Sequence, residues 1–68
     1  MRFIKFENNK ALGTVYIAED NIAEFVLQTV KGKYGLAIYT KVPDQVVGFS
    51  YDTEEEREKK VNEILKSN

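Results

Sequence analysis

Residues 53–67 form the one stretch of this chain whose pattern reads as a helix throughout, and they follow strand-like segments that are apolar on both alternating faces. One short helix covers at most one face of a sheet. The remaining apolar residues therefore need a second surface, supplied by another part of the chain, another copy or a partner.

The length sharpens this demand. A chain of 68 residues is one small domain, and a domain of this size buries only about 60% of the surface its unfolded form exposes. Small domains usually compensate with disulfides, a bound metal or oligomerisation. The chain has neither Cys nor His, which removes disulfides and the thiolate and imidazole metal sites. Self-association is the compensation that remains. With 43% hydrophobic and 31% charged residues, one proline and no low-complexity tract, the composition is that of a folded domain rather than a disordered one. A net charge of −1 supplies no global attraction to nucleic acid or to an anionic membrane. The opening Arg2, Phe3, Ile4 and Lys5 lack the apolar run of a signal peptide, and no later stretch has the length of a membrane span. The expected location is cytoplasmic.

Five β-rich segments precede the helix. Residues 2–6 end at Glu7, Asn8, Asn9 and Lys10, where asparagine favours a turn by bonding nearby backbone. Residues 12–18 resume with Thr14, Val15, Tyr16 and Ile17, whose branched and aromatic side chains suit a pleated surface. Ile22–Val30 carries two periodicities, because Ile22, Phe25, Val26 and Thr29 also fall at helical spacing. Its β-branched and aromatic density favours a strand, as does the Gly32 that follows where a tight hairpin needs positive φ. Residues 34–41 make the return strand, Pro43 and Asp44 mark a turn, and residues 46–51 make the last strand. Gly48 within it predicts a bulge or a close backbone approach.

Thr53 with Glu56 fits a capping box, and Asp52 with Glu55 fits the same device one residue earlier. Glu54, Glu55 and Glu56 complement the helix dipole, as does Lys66 at the other end, and Glu55–Lys59 and Glu56–Lys60 are well-oriented pairs. Val61, Ile64 and Leu65 form the apolar stripe, with Leu65 expected to anchor the helix on the sheet.

Alternation assigns Ile4 and Phe6, Val15 and Ile17, Phe25 and Leu27, Leu36 and Ile38, and Val47 and Phe49 to the face beneath the helix. The opposite set contains Phe3, Leu12, Tyr16, Val26, Val30, Tyr39, Val46 and Tyr51. A helix of this length is roughly 22 Å by 10 Å, against a sheet about 20 Å across. It shields about half of one face. The sheet must curl over the helix or meet a second sheet. The expected partner interface is accordingly Phe3, Tyr16, Val26, Tyr39, Val46 and Tyr51.

Chemistry-bearing groups are sparse. Without His or Cys, and with no serine beside an evident base, the sequence holds no catalytic constellation, so no enzyme activity and no cofactor are expected. Tyr16 or Tyr39 beside a lysine is the remaining acid–base pairing. The acidic residues 54–56 with Glu58 diverge around a helix, and Glu19, Asp20 and Asn21 lack calcium-loop spacing. Lys31 and Lys33 with Tyr34 offer phosphate contacts and a stacking ring, which makes weak nucleic-acid binding the alternative function.

Gly48, Phe49, Ser50, Tyr51, Asp52, Thr53 and Glu54–Glu56, together with Phe3–Phe6 and Asp20–Ile22, resemble small bacterial β-rich domains that end in an Asp-Thr-Glu-Glu-Glu capped helix closing over the sheet. Those helices often carry a small apolar residue where this chain has Arg57, so the comparison implies a loosely docked first turn. No functional residue is carried over from it. The expected architecture is a single α+β domain over residues 1–68: an antiparallel β-meander of four to five strands with one C-terminal helix packed on one face. Its expected role is that of a non-catalytic interaction module, homodimeric or bound to a small protein partner, with no membrane association.

Overall fold

A computed structural model describes residues 2–66, the side chain of Asn8 apart. Among these residues the order is β1 (Phe3–Asn9), β2 (Gly13–Ala18), a turn of 3-10 helix (Glu19–Asn21), β3 (Ile22–Val30), β4 (Lys33–Thr40), β5 (Gln45–Tyr51) and α1 (Glu54–Leu65). Ser67, the last residue of the expected helix, lies outside the described residues. The α+β class is as expected, with strands paired antiparallel throughout, but the pairing falls into two pieces: a β1–β2 hairpin and a three-stranded sheet in the order β3, β4, β5. The division follows from the 3-10 turn, which carries the chain away from β2 before β3 begins. Asn21 fixes that turn: its amide donates to the Val42 carbonyl at 2.9 Å and its Oδ1 accepts from the Val42 N–H at 3.0 Å.

The two pieces close on each other through β1 and β5. Phe6 stacks on Phe49 with ring centroids 4.5 Å apart, and the Asn9 side chain donates to the Gly48 carbonyl at 2.7 Å. This is the curling that the width comparison requires. Asn9 also accepts from the N–H groups of Ala11 and Leu12, the side-chain turn expected at this asparagine pair.

Register decides which side chains enter the core. Leu36 faces Phe49, Ile38 faces Val47 and Tyr34 faces Tyr51 across β4 and β5, which keeps residues 47, 49 and 51 on one side of an unbroken strand. Tyr51 is thus 5% exposed in the core, a correction to its expected place on the outer face, which would have needed a bulge after Phe49. Gly48 pairs in register with Ala37, and a Cβ there would meet open space, so neither the expected bulge nor a close approach occurs. Register shifts lie instead between Ile22 and Glu24 on β3 and between Phe6 and Asn9 on β1, and the first is the one that matters for the core. It turns both Ile22 and Phe25 towards the core, which accounts for the three-residue spacing of that pair, while Val26 faces outward.

Helix α1 starts at Thr53, whose Oγ1 accepts from the Glu56 N–H at 3.2 Å and donates to the Glu56 carboxylate at 3.0 Å. Ile64 packs into the core while Leu65 is 52% exposed, reversing the expected anchor. Arg57, Val61 and Ile64 recur at four and three residues and form the buried stripe, one position out of step with Leu65. Arg57 is itself buried, contrary to a loosely docked first turn. Its Nη1 donates to the Gln28 carbonyl at 3.2 Å and the Gly35 carbonyl at 3.3 Å, and its guanidinium lies 5.3 Å from the Tyr34 ring centroid.

Ile64→Ala should cost about 2–5 kcal/mol and Leu65→Ala under about 1 kcal/mol, read from urea midpoints at constant slope. Equal losses would place both residues in the core. Arg57→Ala should cost about 2–3 kcal/mol, because two sheet carbonyls lose a charged donor and the side-chain stem loses its packing. An unchanged midpoint would show that the clamp adds nothing.

Candidate functional site

Five of the six expected interface residues turn outward, and they do not form a single cluster. Tyr16 stands across from Lys5 on the hairpin, with Phe3 one step along the same face. On the three-stranded sheet, Tyr39 is flanked by Glu24 and Val46, and the next row holds Val26, Ala37 and Gly48. Phe3, Tyr16 and Val46 are each more than half exposed, Tyr39 is 36% exposed and Val26 is partly covered. The small residues at 37 and 48 leave a shallow floor rather than a pocket. Tyr51 belongs to the interior.

The residues expected to meet nucleic acid are also dispersed. Lys31 occupies the hairpin tip with φ +49°, Lys33 is paired with Asp52 at 3.0 Å, and Tyr34 turns to the helix side under Arg57. The stacking ring and Lys33, consecutive on β4, therefore lie on opposite faces of the sheet, with Lys31 out at the tip.

Two positions escaped the sequence reading. Leu27 has the parity of a core residue but remains 47% exposed, because β3 is an edge strand and α1 packs mainly against β4 and β5. Between Leu27 and the helix lies a hollow of about 320 Å³. Lys60 is the second: it donates to the Lys5 carbonyl, pairs with Glu63 at 3.1 Å and sits 5.4 Å from the Phe6 ring centroid. Glu56, its expected helical partner, is engaged by Thr53 instead. The four-and-three spacing of Arg57, Val61 and Ile64 is a signal the sequence carries, although the expected stripe ran through Leu65; nothing in the sequence marks the strand edge.

One buried polar group is the Tyr51 hydroxyl. Tyr51 lines a hollow of about 540 Å³ with Glu7, Glu56, Lys59, Lys60 and Glu63, and its Oη is buried without a hydrogen-bond partner among the described residues. Burial, reinforced by the charges of Glu63, Glu56 and Glu7, pushes its pKa up from 10.0 to about 12. That direction carries the phenol further from proton transfer near neutral pH. Among the described residues no group of three or more carboxylates converges as a metal would require, and no helix is long and apolar enough to cross a membrane.

Since the folded chain holds the Tyr51 proton more tightly than the unfolded chain, the associated stability is complete below pH 10.0 and falls as pH rises through about 12. The loss should amount to about 2–3 kcal/mol. It appears as a steeper alkaline fall in urea midpoint for the parent than for Tyr51→Phe, and parallel curves would contradict it. At neutral pH the same substitution should change stability by less than about 0.5 kcal/mol, because the hydroxyl it removes has no partner.

Compared with known proteins, the chain matches no family model, no curated protein and no solved structure.

Proposed function

We propose that the protein is a small non-catalytic interaction module that self-associates through its sheet. The observation that carries this is the apolar surface left on the strands after the helix has docked. Tyr39 and Val46 lie on the outer face of the three-stranded sheet, while Leu27 and Val30 lie on its nine-residue edge strand. A chain this short gains little from a core alone, and one without Cys or His has no covalent or imidazole–thiolate staple with which to supplement it. Pairing the Leu27 and Val30 edge of this surface with a second copy supplies the missing apolar contact. The lack of cysteine also suits a reducing compartment such as the cytoplasm.

Sedimentation equilibrium over low to high micromolar concentration should show a monomer–dimer transition, with the thermal midpoint rising over the same range. A strict monomer throughout would remove the proposal.

A further inference from the structure

β3 pairs with β4 without a break from Phe25 opposite Ile38 to Val30 opposite Lys33, and the connecting turn gives Lys31 and Gly32 φ of +49° and +77°. A two-residue hairpin with two positive φ values makes Val30 and Lys33 a hydrogen-bonded pair. Alternation then makes Gln28–Gly35 and Val26–Ala37 hydrogen-bonded pairs as well. Arg57 gives independent support, because its Nη1 reaches the carbonyls of both Gln28 and Gly35. Both oxygens must therefore lie between the strands. The main-chain groups of Phe25, Leu27 and Thr29 consequently point the other way, to an edge where no other strand of the described residues pairs with them.

We infer that two copies join by antiparallel pairing of their β3 strands about a twofold axis at Leu27, merging two three-stranded sheets into one; this rests on the self-association reading above. A twofold axis normal to the sheet keeps each face on its own side, so opposing residues share parity, and the free main-chain groups belong to the odd-numbered positions. Leu27 then opposes Leu27 of the second copy, and Phe25 opposes Thr29, giving three pairs and about six hydrogen bonds. Any other centre carries one of the three residues past the bulge at Ala23 or into the turn at Lys31. The same register sets Glu24 opposite Val30 of the second copy and next to its Lys31, so opposite charges meet at both ends. Half-exposed Leu27 gains an apolar neighbour beside the hollow it shares with Val61, Asn62, Arg57, Glu54 and Glu58. The free edge of β2 fits less well: it has six residues and begins at a register shift. Its twofold pairing about Tyr16 would set Glu19 and Asp20 against Gly13 and Leu12, with no charge match.

The absence of native cysteine allows single-cysteine variants to report the geometry. Opposed residues of a hydrogen-bonded pair have Cα atoms about 5.5 Å apart, within the roughly 4.4–6.8 Å span of a disulfide. Under mild oxidation Leu27→Cys should give covalent dimer as its main product, while Tyr16→Cys and Val46→Cys, which report the β2 edge and the outer face, remain mostly monomeric. In the unmodified chain, the amides of Phe25, Leu27 and Thr29 should exchange about tenfold more slowly at a concentration where roughly nine-tenths of the protein is dimer. A dimer that cross-links through position 16 or 46, with exchange at 25, 27 and 29 independent of concentration, would overturn this register and leave self-association standing. A protein that stays monomeric would overturn both.

Discussion

The buried guanidinium of Arg57 is the contact on which the arrangement of the domain turns. A helix opening with three glutamates has no apolar residue in its first turn, so burial alone cannot hold that end against the sheet. Arg57 docks it by polar means. Its donors go to carbonyls on two adjacent strands and to the Thr29 hydroxyl, its plane lies over Tyr34, and Glu54 approaches at 3.8 Å. Arginine suits the position because several donors project from one planar group while the stem packs on apolar neighbours. The nearby glutamate and the ring offset part of the cost of taking the charge out of water.

The other end of the helix is held differently. Val61 and Ile64 dock by burial, and Lys60 lies across the Phe6 ring to reach the Lys5 carbonyl and Glu63. Arg2 adds a bond to the Glu63 carbonyl at 3.1 Å. The helix is therefore tied to the hairpin at one end and to the three-stranded sheet at the other. Stacking of Phe6 on Phe49 brings those two pieces together beneath it. Because the sheet is folded towards it, a single helix covers the inner face except at the edge strand, where Leu27 stays half exposed.

Much of this was legible in the sequence wherever one local signal decided the matter. Strand alternation placed Ile4, Phe6, Ile17, Leu36, Ile38, Val47 and Phe49 in the core, Gly32 marked the hairpin and Thr53 marked the helix start. What stayed hidden depended on tertiary partners. Leu65 and Ile64 are equivalent as apolar residues, and only the direction set by Arg57 separates them. Tyr51 shares the parity of Phe49, and an outward place for it would require a bulge that the unbroken β4–β5 pairing does not contain. Arg57 looked like an obstacle because a charge on a core-facing stripe is favourable only when carbonyls lie within its reach, and sequence spacing does not show where Gln28 and Gly35 meet. The outer-face residues were identifiable singly, while their division between hairpin and sheet followed from the pairing.

Arg57 also explains why β3 is left open. Its reach to Gln28 and Gly35 fixes the first turn of the helix over the hairpin end of β3 and β4, and Ile64 draws the last turn into the core. The helix cannot slide outward over Leu27 without giving up both attachments. Leu27 thus keeps core parity without core burial. The edge carries none of the usual protections in its middle stretch: there is no proline and no inward charge between Phe25 and Thr29, and the one bulge lies near the start of the strand. An unprotected edge of this kind invites pairing by another strand. In the proposed dimer, the second copy brings a strand of matching length whose terminal charges are in the complementary order.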